Sequence, residues 1–247
     1  MIKNKLQILN YIVIIITLTL FFILVFNPNM DVSFLTAIVT FILLSLFTFV
    51  CGIKINKKEV YENNIIIYMI LYFIFLFSLT MLIGRFGKTL INMKYFQMYL
   101  RDINIIPFKT IIKYLTSKVS LQVMIYNIVG NFIALMPLSL LLMLKNDKNR
   151  KLSKQFIKIS IIVLIIEILQ LVFSCGKFDI DDFILNVSGA LALSYILLKT
   201  NTLSKIKRIF VTDMKLKSWV KNILLLIVIL IIIMFNILLI SDLIAIR

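Results

Sequence analysis

The chain has 247 residues, of which 62% are hydrophobic, with a mean hydropathy of +1.06, and long apolar runs repeat along its length. That describes an all-α, polytopic membrane protein and excludes a soluble globular core, while six Gly and three Pro leave no room for a flexible linker domain. A formal charge of +16 raises nucleic acid as a partner, but the basic residues sit between apolar runs, and no soluble basic domain exists to bind it.

Cys51 and Cys175 are too far apart in sequence to suggest a metal-ligand pair or a disulfide framework. Histidine is absent, which excludes Ser-His hydrolases, His-dependent phosphatases and His-ligated zinc. Any chemistry falls to carboxylates, amides, hydroxyls, lysines or a bound ion.

In chain order, a basic start precedes an apolar run at Leu6–Phe26 with no small-residue cleavage site after it, so it reads as an uncleaved first span. Six further runs follow: Ser33–Ile53, Ile65–Ile83, Met124–Leu144, Phe156–Ser174, Phe183–Leu198 and Asn222–Ser241. Helix is the form that satisfies the backbone in lipid. With the N-terminus in the cytoplasm, the inner segments hold 16 basic residues and the outer ones 9. This distribution predicts a multi-pass protein of the cell membrane with N-inside orientation, although the connection 84–123 holds seven basic residues on the outer side.

Within that connection, Asn104-Ile-Ile-Pro107-Phe108 leads into a segment with Phe108, Ile111, Ile112, Leu115 and Val119 on one face. Lys109, Lys113 and Lys118 lie largely opposite, and Pro107 suits the first turn, so the pattern predicts an amphipathic helix in the interface. It serves as a rim or lid that meets anionic headgroups, or as a basic surface helix resting on lipid. In the fourth span, Asn127 and Asn131 stand one turn apart, and Pro137 predicts a kink.

Of the 11 acidic residues, four fall in one stretch: Glu167, Asp179, Asp181 and Asp182. Glu167 and Gln170 share a helix face, as do Asp182, Asn186 and Gly189. With N-inside orientation these residues, Asn127 and Asn131 meet at one extracytoplasmic level. The pattern reads either as a polar cavity opening outward or as interhelical bonding, with Asp182 capping the sixth helix. Ionisable groups inside spans are functional by default, which favours a role for Glu167. Asp179, Asp181 and Asp182 offer oxygen ligands for Mg²⁺ or Ca²⁺, or an acidic helix cap neutralised by Lys177. A neighbouring acid in a low-dielectric setting suits Glu167 to proton transfer, with Asp182 as its catalytic companion if the protein is an enzyme. The last span, whose polar residue is Asn236, reads as an anchor.

Four pieces together resemble the VanZ-like family: Asn104-Ile-Ile-Pro107-Phe108, Asn131-Phe-Ile-Ala-Leu-Met-Pro137-Leu, Glu167-Ile-Leu-Gln170, and Asp179-Ile-Asp181-Asp182-Phe-Ile-Leu-Asn186-Val-Ser-Gly189-Ala. The resemblance covers about residues 101–200 as a core, with 1–100 and 201–247 flanking it. Lys177 stands where the family usually has Arg, and Ser139 where it usually has Gly, which puts a bidentate grip and a close helix approach in doubt. The resemblance implies a cell-envelope role linked to resistance to the glycopeptide teicoplanin, whose acyl tail makes it an amphiphile. Three readings follow. The first is an outward polar cleft that handles lipid-linked or lipidated amphiphiles, with Asn104, Pro107, Phe108, Asn127, Asn131, Gln170, Lys177, Asp179, Asp181, Asn186 and Gly189 around it. The second is an enzyme acting on an envelope lipid, and the third a helper subunit of a membrane complex.

Overall fold

The structure is a computed structural model that describes residues 2–26, 34–55, 58–82, 93–117, 119–145, 151–211 and 216–244. Parts of the basic connections lie outside these residues, and Lys118 does so entirely. Eleven α-helices are described, α1 (Ile2–Phe26), α2 (Phe34–Ile55), α3 (Lys58–Phe77), α4 (Met93–Arg101), α5 (Lys109–Thr116), α6 (Leu121–Ala134), α7 (Met136–Lys145), α8 (Leu152–Val172), α9 (Ile180–Lys199), α10 (Thr202–Val211) and α11 (Ser218–Ile244), and a π-helical turn at Ser78–Leu82 continues α3. Among the described residues seven stretches are long and apolar enough to cross a bilayer, and each overlaps a run read from the sequence; α6 and α7 together make the fourth. The protein is an all-α, multi-pass helical bundle.

The chain divides into two compact units, 1–88 with 206–247, and 89–205. In the first, α1, α3 and α11 each pack on α2, and α11 also packs on α1. The core is Phe21, Leu24, Ala37, Phe41, Leu44, Leu71 and Leu239. Without a hydrophobic drive inside lipid, helices also need polar contacts across their interfaces. Here Thr48 donates to Asn10 Oδ1 at 3.3 Å, and Asn64 donates to the Thr48 carbonyl at 3.1 Å. Asn236 donates to Thr17 Oγ1 at 3.1 Å, which ties the last span into this unit.

In the second unit, α9 is central, with α6, α7 and α8 all packed on it. Leu135 interrupts the fourth span between α6 and α7. Pro137 is the second residue of α7, where its missing N–H donor costs no helical hydrogen bond, and Ser139 N–H donates to the Leu135 carbonyl at 3.0 Å. The irregularity expected at Pro137 is thus a one-residue interruption at Leu135, two residues before it.

Candidate functional site

The site begins where α8 ends. Phe173 N–H donates to the Leu169 carbonyl at 2.8 Å, and Ser174 adopts φ 53°. The chain then doubles back, so that Cys175 and Gly176 N–H both donate to the Gln170 carbonyl, at 2.7 and 3.3 Å. These bonds satisfy the carbonyls a helix end leaves open. Lys177 and Phe178 lead to Asp179, whose carboxylate accepts Asp181 N–H at 3.0 Å and so caps α9. The cap is therefore Asp179; Asp182, expected in that role, lies in the first helical turn.

Asn104 joins this turn from far away in the chain. Its N–H donates to the Phe178 carbonyl at 3.0 Å, and its own carbonyl receives Ile180 N–H at 2.9 Å, as a single rung of parallel sheet would. Its side-chain amide donates to Asp179 Oδ1 at 2.8 Å, and its Oδ1 accepts Ile106 N–H at 3.2 Å. Asn104 is thereby a buried clasp between the two loops.

Asp181 completes the clasp. Its carboxylate accepts the N–H groups of Phe108, of Thr110 at 2.6 Å and of Ile111 at 3.1 Å. These are the open donors of the first turn of α5, so a side chain from α9 caps α5. Phe108, in the N-cap position with φ 64°, supplies no side-chain bond of its own. Thr110 adds a hydroxyl bond to Asp179 Oδ2 at 2.6 Å. Pro107 precedes the cap and is not in the first turn as its type suggested. The helix also stops at Thr116, one turn short of the expected Val119, because Ser117 turns to extended backbone. Ile112 and Leu115 stay 55% and 64% exposed on α5, the disposition of a helix that offers an apolar stripe to lipid.

Beneath this clasp lie Glu167 and Asp182. Glu167, little more than one turn before the end of α8, is only 3% exposed, and its Oε2 accepts Asp179 N–H at 3.3 Å. Asp182 accepts Asn131 Nδ2 at 2.5 Å from α6. Along α9, Asp182 follows three residues after Asp179, whose N–H reaches Glu167. Lys177 approaches Asp179 at 3.9 Å. From α5, Tyr114 senses both aspartates: its phenol is held above the ordinary value, first by burial, then by Asp182 and Asp179. Gly189 lets α6 and α9 meet, since a Cβ there would lie 1.7 Å from the Phe132 carbonyl oxygen.

The structure thus gathers Asn104, Asn131, Glu167, Lys177, Asp179, Asp181 and Asp182. Asn127 instead donates to the Val123 carbonyl of its own helix at 2.7 Å, and Asn186 to the Asp182 carbonyl at 2.9 Å. Gln170 contributes its carbonyl, while Pro107 and Phe108 form an exposed rim. Because Asp179 and Asp181 face protein donors, the three aspartates do not build the cation cage their spacing allowed. Among the described residues no three His, Cys, Asp or Glu side chains are grouped to hold a metal. Thr110 and Tyr114 were not legible as site residues; the hint for Thr110 was a hydroxyl in the first turn after Pro107.

No curated protein and no solved structure matches the chain. The family model described as VanZ/LLP1 matches residues 65–203, which include every residue of the cluster. That match spans more than half of the sequence, and the chain belongs to the VanZ/LLP1 family.

Proposed function

We propose that the protein acts in the bacterial cell envelope by receiving the polar head of a lipid-linked or lipidated amphiphile at an outward-facing cluster around Glu167 and Asp182. One observation carries this reading: Glu167, inside a span, is sealed from solvent and accepts a long bond from Asp179 N–H. Ionisable groups inside spans are costly and functional by default, so a group supported this thinly is kept for use. Asp179, Asp181 and Asn104, by contrast, bond to one another and to the loop, so their role is to build the wall. The exposed apolar stripe of α5 supports sideways entry from the leaflet, and family membership supports a bearing on teicoplanin-type resistance.

Glu167→Gln tests it. The substitution keeps shape and burial, so membrane levels should equal wild type while any teicoplanin protection conferred by the gene disappears. Unchanged protection at equal protein level counts against the reading.

The placing of two carboxylates in one cluster, Glu167 on Asp179 N–H and Asp182 on Asn131, also favours a second reading, acid–base chemistry on an envelope lipid with Glu167 as base. Turnover of a polyprenyl-linked or glycolipid substrate by purified protein, lost in Glu167→Gln, would single it out; tight binding without turnover returns the first.

A further inference from the structure

At the opposite end of α8 from Glu167, α8 and α9 leave an open groove of about 820 Å³. Leu152, Phe156 and Ile157 wall one side, and Leu191 and Tyr195 the other. Ser188 and Ala192, one turn apart, set a low floor between them. The volume lies within the range of about 300–1,000 Å³ typical of small-molecule sites. Nearly all of the lining is apolar, so the groove suits a hydrocarbon chain.

The stripe does not end in apolar residues. Ser188, Ala192, Tyr195 and Lys199 follow one another along one face of α9, and Lys199 closes the row. Its ammonium sits 5.5 Å over the Tyr195 ring and donates to the phenol at 3.2 Å. An ammonium has three donors, and the phenol takes one. Lys151 and Lys154 open α8 at the same end, and no acidic residue occurs from Phe183 to Thr212. An apolar trough with a cation at its mouth complements one kind of molecule, a lipid whose head carries negative charge.

We propose that this groove holds an acyl chain of an anionic phospholipid, with its phosphate at Lys199. The site is separate from the Glu167–Asp182 cluster, and neither reading depends on the other. The test uses the purified full chain in neutral detergent, offered phosphatidylglycerol and phosphatidylcholine in equal amounts and read by native mass spectrometry. Wild type should retain phosphatidylglycerol preferentially. Filling the floor by Ala192→Phe, or independently by Ser188→Leu, should cut that retention about tenfold, the equivalent of roughly 1.4 kcal/mol. Lys199→Gln, which removes the charge without filling the floor, should bring phosphatidylglycerol down to the level of phosphatidylcholine. Equal retention of both lipids by wild type overturns the proposal, as does undiminished binding by either correctly folded floor variant. A dimer that dissociates in the floor variants, with lipid retention unchanged, would give the groove to a second copy and also overturn it.

Discussion

Asp181 of α9 receives the backbone N–H of Thr110, 71 residues earlier in the chain, at 2.6 Å. The same carboxylate takes the neighbouring N–H groups of Phe108 and Ile111, so the start of α5 depends on a group outside it. Charge-assisted bonds of this kind contribute about 1.5–3 kcal/mol each where they are buried, and a lost helix cap costs about 1 kcal/mol. Asp181→Ala should therefore release α5. Hydrogen exchange across 108–116 should quicken in this variant, with a smaller change in α8. Asp181→Asn keeps one acceptor oxygen but turns an amide toward backbone donors, and should fall between the two. Wild-type exchange rates in Asp181→Ala would show that α5 is held by lipid contact alone.

The contact at Gly189 makes a second prediction about the same cluster. Its missing Cβ leaves room for the Phe132 carbonyl, and Phe132 follows Asn131, whose amide reaches Asp182. Gly189→Ala would place a methyl 1.7 Å from that oxygen, so α6 and α9 must part. Overpacking of this type costs about 1–3 kcal/mol, and the separation lengthens the Asn131–Asp182 bond as well. Thermal unfolding in detergent should show a lower midpoint for Gly189→Ala. Gly130, with nothing within 4 Å of its would-be Cβ, is the control, and Gly130→Ala should unfold near wild type or above it.

The sequence made the spans legible because length and hydropathy alone decide what can cross hydrocarbon. It also made Glu167 and Asp182 conspicuous, since charge is scarce there. What it hid was the division of labour among the polar residues. Asp179, Asp181 and Asp182 look alike in a row, yet two serve as caps and one accepts the Asn131 amide. The difference arises from a rung at Asn104, 75 residues away, which no local spacing encodes. Asn127 and Asn131 share a helix face, but among the described residues Asn127 bonds to its own backbone and not across the interface. The early end of α5 likewise follows from the turn into α6 and not from the apolar pattern, which runs on to Val119.

Tyr114 gives the cluster a pH signature that can be read outside the spans. Burial first, then the charges of Asp182 and Asp179, disfavour its phenolate. The folded-state value therefore lies above the ordinary tyrosine value of about 10, so the tyrosine's contribution is fully present below that value. It is lost as pH rises through the folded-state value, because the unfolded chain gives up the proton more readily. Wild type should lose stability on the alkaline side faster than Tyr114→Phe, which has no proton to lose. Chemical unfolding of both proteins from neutral pH to above 10 measures this. Parallel curves would place Tyr114 away from the aspartates.

The orientation proposed for the cluster can be decided with a cysteine the protein already has. Cys175 lies partly exposed in the turn between α8 and α9, four residues before the Asp179 cap, while Cys51 is buried at 1% exposure. An impermeant maleimide reacts with the thiolate, so accessibility governs which of the two responds. If this turn faces outward, as the distribution of Lys and Arg predicts, intact cells should be labelled at Cys175 before any permeabilisation. Cys175→Ser should abolish that signal, and Cys51→Ser should leave it unchanged. Labelling that appears only after the membrane is opened would put Glu167 and Asp182 at the cytoplasmic face. The ligand would then have to be sought in the inner leaflet, and direct capture of an extracellular glycopeptide by this cluster would be excluded.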